Sequence, residues 1–413
     1  MKSIHVGNPL SALKHKNFRY YWLGMCVSTT GTWMQNTAQP WLAYRLTNSP
    51  FLLSLISALQ FTPMLLFSLF AGVIVDRLPK KKLLIFTQSA SLVVTLVLAI
   101  LASTGTVQYW HILITATALG VVNTLDMPVR QAFIVELTGK EDLMNAIALN
   151  SAVFNMSRII GPAIAGIVMG AFGVSACFLA NSISFGAVLI SLLFIKPLKI
   201  EKPPIKEENI FRNIMDGLKY VYQNDILFFT LLILAVVGTF APNFNVLVPV
   251  YAIQVLNQQE TGFGFLMSFL GIGSFVGAML IAAMSVSGPK KFVLYFVPLL
   301  IGIALIGTGY MNTFLTTGLL LAITGFFFVA YTSSSNSALQ LNSSNEYRGR
   351  VMSVYTLTFA GSTPLGNLFA GAISERFNAR VGFIACGVTV LILMIPIYLL
   401  KKTGYKKGAA NRP

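Results

Sequence analysis

Charged residues make up only 10% of this chain, so the few that could do chemistry stand out. Asp126 and Arg130 are four apart with the acid first, the order that favours an ion pair on one helix face. Such a pair serves structure or gating, and Asp126 is also the best-placed carboxylate to carry a proton. Arg158 stands alone inside an apolar run. Inserting it costs about 2.5 to 3.5 kcal/mol, so it must face a cavity, backbone carbonyls or an anionic substrate group. Gln35, Asn36 and Gln39 share one apolar stretch, and Phe240, Asn243 and Asn245 another. Amides beside aromatic rings suit a cavity for an amphiphilic ligand. They equally suit polar contacts between helices, worth under about 1 kcal/mol each. Asp76 and Arg77, followed by Lys80, Lys81 and Lys82, end a run that begins near Phe51. An acid at a helix C-terminus is unfavourable by roughly 0.3 to 1 kcal/mol, so Asp76 needs a cationic or N-terminal helix partner.

These groups need long apolar elements to hold them. The chain has 413 residues, 55% of them hydrophobic, and a mean hydropathy of +0.73, far too apolar for an ordinary soluble globule. A bilayer core needs about 20 apolar residues per helix, and the runs lack the alternation of a barrel. Twelve helices are expected, at 18–43, 51–75, 83–103, 109–130, 143–171, 175–195, 226–256, 262–285, 291–310, 314–337, 349–373 and 380–400. Thr138 and Glu141 have capping-box spacing at the start of the fifth. Within that helix Pro162 removes the hydrogen bond to the carbonyl of Arg158, while Gly161, Gly166 and Gly170 offer a small face for close packing.

The net charge of +16 is distributed unevenly. Of 29 Lys and Arg residues, 25 fall in the termini and in the loops after even-numbered helices; the exceptions are Arg45, Arg158, Arg376 and Arg380. The positive-inside rule then makes both termini cytoplasmic, in a multi-pass protein of the cell membrane. This placement also argues against a nucleic-acid partner. Residues 196–225 hold mixed charge and three prolines, and read as a cytoplasmic linker between halves at 1–195 and 226–413, with a surface helix near 210–222. The halves repeat: Thr32, Asn36 and Tyr44 match Thr239, Asn243 and Tyr251 at one offset.

No phosphate-binding loop is present, and His5, His15 and His111 lie in the tail or at a rim. Cys26, Cys177 and Cys386 show no paired spacing. No enzyme activity, cofactor or metal site is expected.

The stretch GVIVDRLPKKK, from Gly72 to Lys82, resembles the loop after helix 2 that marks the major facilitator superfamily of secondary transporters. Here Pro79 stands where that family usually has glycine. RIIGPAIAG from Arg158, RGRVMSVY from Arg348 and NFRYYW from Asn17 resemble its drug, macrolide and siderophore exporters, the transmembrane secretion effector type. The resemblance implies an all-α integral membrane protein of twelve transmembrane helices in two pseudo-symmetric six-helix bundles, with the substrate between them near midplane. It also implies a conformational latch of Gly72, Asp76 and Arg77 with Arg130, Arg348 and Arg350. The expected function is efflux of a small amphiphilic or anionic organic molecule by alternating access, proton-coupled as the family implies, from a monomer. An uptake facilitator or symporter of the same fold is the alternative, and a non-transporting scaffold or receptor a third.

Overall fold

The computed structural model describes residues 10–402 apart from 140, 197, 199–209 and 285–287. Among these it contains helices and no strand. The first six long helices are α1 (Lys16–Thr47), α2 (Pro50–Arg77), α3 (Lys80–Ser103), α4 (Tyr109–Thr138), α5 (Leu143–Phe172) and α6 (Val174–Phe194). Then come α7 (Ile210–Gln223), α8 (Asp225–Phe240), α9 (Phe244–Gln254), α10 (Glu260–Ala283) and α11 (Lys291–Tyr295). The chain continues through α12 (Val297–Tyr310), α13 (Phe314–Leu341), α14 (Arg348–Arg376) and α15 (Ala379–Lys402). Nine segments among the described residues, with α8 and α9 taken as one, are long and apolar enough to cross a membrane. α1 and α14 have the length, at 32 and 29 residues, but carry more polar groups.

Two expected helices are each broken by a proline. Pro242 has no N–H to continue α8, and the break is mended locally: Asn243 Nδ2 donates to the carbonyls of Thr239 and Phe240, both at 3.1 Å. Pro298 similarly separates α11 from α12. α4 runs on through Pro128 to Thr138, eight residues past its expected end. The capping box at Thr138 and Glu141 does not form. Thr138 Oγ1 donates back to the Ile134 carbonyl at 3.1 Å as the end of α4, and Asp142 is the residue that precedes α5.

Asp142 makes no cap of its own because the chain's beginning takes it. A short 3-10 turn, Ser11–Lys14, brings His15 Nε2 within 2.7 Å and Lys14 Nζ within 3.0 Å of Asp142 Oδ2. Ala12 N donates to Asn145 Oδ1 at 2.9 Å. Hydrogen bonds from His15, Ser11 and Lys14, in that order of weight, hold the Asp142 carboxyl well below the usual carboxylate range. A depressed folded pKa gives stabilisation that is complete above the unfolded value, about 3.9, and lost as pH falls through the folded one. Asp142→Asn should therefore release the strap at neutral pH. Limited proteolysis at Lys14 should be several-fold faster than in wild type, and equal rates would contradict this.

The helices pack as two sets. α1 lies on α5 and α6, α2 on α4, and α3 on α4 and α6; α10 lies on α13, α12 on α13 and α15, and α8 on α14. Two main pairs join the sets, α5 with α10 and α2 with α14, and α1 and α2 also touch α9. The first seam depends on missing side chains. A Cβ on Gly264 would collide with the Pro162 carbonyl, and Gly166 has the carbonyls of Glu260 and Thr261 only 3.0 Å from where its Cβ would stand. In the second, Gly371 abuts Ser54, and Gly361 meets the Leu65 side chain.

α7 forms where the sequence predicts a surface helix, and it is docked on the start of α14. Tyr220 stacks on Tyr347 with ring centroids 4.4 Å apart, its hydroxyl accepts from Ser344 N at 3.1 Å, and Asp216 pairs with Arg350 at 3.5 Å.

Candidate functional site: the interhelical cavity and its gates

On the N-terminal set, α1 and α5 present a mixed face. Thr30 Oγ1 and Ser157 Oγ lie 3.1 Å apart and fix the register of the two helices. One turn away on each, Trp33 meets Phe154 edge-on at 5.6 Å, and the Trp33 Cβ lies over Gly161, where any side chain would collide. Arg158 follows Ser157 on α5. Its Nη2 donates to Asn155 Oδ1 at 3.2 Å, while its Nε is shielded from solvent without a partner. Asn36 is half-exposed and its amide has no partner among the described residues. On the C-terminal set an aromatic run crosses three helices: Phe244 to Phe328 at 6.5 Å, Phe328 to Phe359 at 6.3 Å, and Phe359 to Tyr355 at 6.2 Å. Phe240 packs on Phe369 at 5.1 Å, and Asn245 is half-exposed nearby in sequence.

Nearer the lysine-rich end is a buried ionic node. Asp126 Oδ1 accepts from Thr87 Oγ1 at 2.6 Å and Gln88 Nε2 at 2.8 Å. Arg130 Nε donates to Asp126 Oδ2, and Arg130 Nη1 reaches Met25 Sδ. Three donors converge on one carboxylate. Asp126 is deeper than the sequence suggests. Because α4 continues twelve residues to Thr138, the acid is roughly 18 Å from that end at about 1.5 Å per residue.

Several residues expected on the cavity wall are placed elsewhere. Gln35 is buried between α1, α3 and α6, where its Oε1 accepts from Thr95 Oγ1 at 3.2 Å and Asn181 Nδ2 at 2.5 Å. Gln39 is buried beside it, 3.5 Å from Gln35 Nε2. Asn243 is fully buried at the α8–α9 break, a mend in the backbone. Gln35 and Gln39 find partners inside one set of helices, whereas Asn243 Oδ1 is buried with no partner among the described residues.

Three of the residues implied as a latch have partners outside it. Arg130 belongs to the Asp126 node, Arg350 to Asp216, and Arg348 Nε donates to the Gln340 carbonyl at 3.2 Å. Lys80 lies 3.9 Å from Glu136, and Lys81 Nζ donates to the Ile195 carbonyl at 2.7 Å. Arg77 is exposed, and Gly72 has no neighbouring atom within 4 Å of where a Cβ would stand. The Asp76 side chain lies outside the described residues.

Sequence reasoning missed two carboxylates that join the halves at the opposite end. Glu375 of α14 accepts from Ser49 Oγ at 2.8 Å and Phe51 N at 3.2 Å, at the first turn of α2. Glu260 of α10 accepts from Trp41 Nε1 at 3.1 Å, and Gln254 Nε2 donates to the Tyr44 hydroxyl at 2.9 Å. An acid at the first turn of its own span was the only signal for Glu260. Nothing marked Glu375.

This is a helical membrane protein whose two helix sets meet chiefly along α2–α14 and α5–α10. Its fold is that of a bacterial homologue of the human lysosomal transporter Spinster, solved in an inward-facing and unoccupied conformation, at TM-score 0.74 and 13% identity over 94% of this chain and 98% of that one. The family profile described as transmembrane secretion effector matches residues 7–410, and the chain belongs to that family within the major facilitator superfamily. It is similar to the staphyloferrin A transporter of Staphylococcus aureus, 26% identical over 95% of this chain and 98% of that protein. It is also similar to the multidrug efflux pump Tap of Mycolicibacterium fortuitum, 24% identical over 88% and 90%. The chain is a multi-pass membrane transporter of small molecules and not an enzyme.

Proposed function

We propose that this protein exports small amphiphilic organic molecules across the cell membrane, in exchange for protons, by alternating access of two six-helix halves at 1–195 and 226–413. The observation that carries the reading is the asymmetry of the contacts between halves. Polar links gather at the Glu375, Glu260 and Gln254 end, while Gly72 on α2 and Gly349 on α14, toward the lysine-rich end, stand clear of neighbouring atoms. That asymmetry supports a carrier open on one side only. The lysine-rich end is taken as cytoplasmic, so this conformation is inward-open and ready to load. The Trp33–Phe154 pair and the Phe244–Tyr355 run supply apolar walls, with Asn36, Asn245 and Arg158 as polar points. α11–α12, α1 and α14 complete twelve crossings, and the protein works as a monomer. Two of its relatives, the multidrug efflux pump Tap and macrolide efflux protein A of Streptococcus pyogenes, are efflux proteins, which favours the outward direction.

Orientation and coupling are tested separately. Cysteines at the exposed Asn48 and Asn378 should be labelled from outside in intact cells by an impermeant maleimide, and one at Glu346 should not; the reverse pattern overturns the orientation. Inverted vesicles with an acidified lumen should accumulate members of a panel of fluorescent amphiphiles. Accumulation that ignores the imposed gradient would remove proton exchange and leave a facilitator.

A further inference from the structure

The charge on Arg158 is left without an answer inside the protein. Among the described residues no carboxylate lies within ion-pair distance of it. Among the described residues its one side-chain hydrogen bond goes to a neutral amide, Asn155 Oδ1 at 3.2 Å. Nε is hidden from water and unpartnered, a situation that is costly for any buried donor and more so for a charged one. Two backbone carbonyls near the Pro162 kink face another helix, α10. The Arg158 carbonyl lies against Gly271 of α10, 2.7 Å from where a Cβ would stand, and the Ile159 carbonyl accepts from Ser268 Oγ at 2.8 Å.

The same face of α5 also carries an aromatic residue. Phe154, one turn before Arg158, meets Trp33 edge-on, and Trp33 is held in place by its backing on Gly161. The other cation on this face, Arg130, approaches α1 at Met25, whereas Ser157 meets it at Thr30. Five residues of α1 separate the two levels, roughly 7 Å at about 1.5 Å per residue. Arg130 is neutralised by Asp126, so Arg158 is the positive charge left over at the aromatic shelf.

Resting on the reading that the cavity holds the transported molecule, we infer that Arg158 is the docking point for a carboxylate on that molecule. The preferred substrates are then amphiphilic monoanions, with an aryl or alkyl body laid on Trp33 and Phe154. A guanidinium offers parallel donors that match the two oxygens of a carboxylate. A phosphate dianion would need a second free cation, and the neighbouring arginine is already paired. The carboxylate supplies the acceptor that Nε lacks, and its own desolvation is offset by the fixed positive charge.

The test uses the full-length protein in nanodiscs with two probes of one scaffold, dansyl-phenylalanine and its methyl ester. Binding is read as energy transfer from tryptophan to the dansyl group. The acid should bind at least tenfold more tightly than the ester. Arg158→Gln should bring the acid down to the ester's affinity and leave the ester within twofold, with Arg158→Lys in between because it keeps the charge and loses the fork. Equal binding of acid and ester to the wild type would overturn the inference, and that comparison needs no variant. Parallel loss of both probes in Arg158→Gln would also overturn it, since a helix-packing role predicts that result. If neither probe binds the wild type, the reading of the cavity as an amphiphile site falls, and this inference with it.

Discussion

Removing the carboxylate of Asp126 alone should destabilise the protein by about 3 to 5 kcal/mol, the usual consequence of leaving one member of a buried ion pair unanswered. Asp126→Ala strands the Arg130 guanidinium, and it also takes the acceptor from Thr87 and Gln88. Arg130→Ala should cost a similar amount. The double replacement Asp126→Asn with Arg130→Met should cost less than either single change, because it removes both charges together and Met beside Met25 fills the space. Thermal unfolding of these proteins, with Asp126→Asn and Arg130→Met measured singly to close a double-mutant cycle, checks this. Additive losses would show that the two side chains do not depend on each other. Asp126→Asn also separates structure from coupling. If Asp126 carried the transported proton, that variant would keep its melting temperature and lose only gradient-driven transport.

Glu375→Gln should shift the protein toward its outward-open form. In the observed conformation the carboxylate sits at the positive end of α2, which is worth roughly 0.3 to 1 kcal/mol at an exposed site, and it accepts charge-assisted hydrogen bonds from Ser49 and Phe51 N. Glu375 is exposed, so solvent screening limits the whole effect to about 1 kcal/mol, or about fivefold in the ratio of the two states. The glutamine keeps an acceptor and loses the charge, so folding should be untouched. Faster maleimide labelling of a cysteine at Ser54, which is buried against Gly371, would report the shift. Unchanged labelling would show that Glu375 does not hold this end closed.

What the sequence revealed was local or periodic. The Asp126–Arg130 pair was legible because its two members lie on one turn of one helix, and Gly166 was legible because small residues at four-residue spacing pack closely wherever the partner is. Gln35 was misplaced because its partners, Thr95 and Asn181, come from α3 and α6, and an amide inside an apolar run looks the same whether water or another helix satisfies it. Asn243 misled for a related reason: it repairs a proline break that periodicity does not show. The Thr138 and Glu141 spacing was overruled by a contact with the chain's own beginning, His15 on Asp142. Glu375 was invisible because an acid near a span end is ordinary at a membrane surface, and only the fold brings it to the first turn of α2.

The central claim is that one cavity opens alternately to two sides, and it is tested most directly by measuring both ends in one population. Spin labels would be placed on a cysteine-free background, replacing Cys26, Cys177 and Cys386. One pair at Asn48 and Asn378 reports the Glu375 end, and a second at Leu78 and Glu346 reports the lysine-rich end. Pulsed dipolar distances should be two-valued at both ends and move in opposite senses on acidification, the first pair lengthening as the second shortens. Distances that change at one end while the other stays fixed, or that lengthen together, would contradict alternating access.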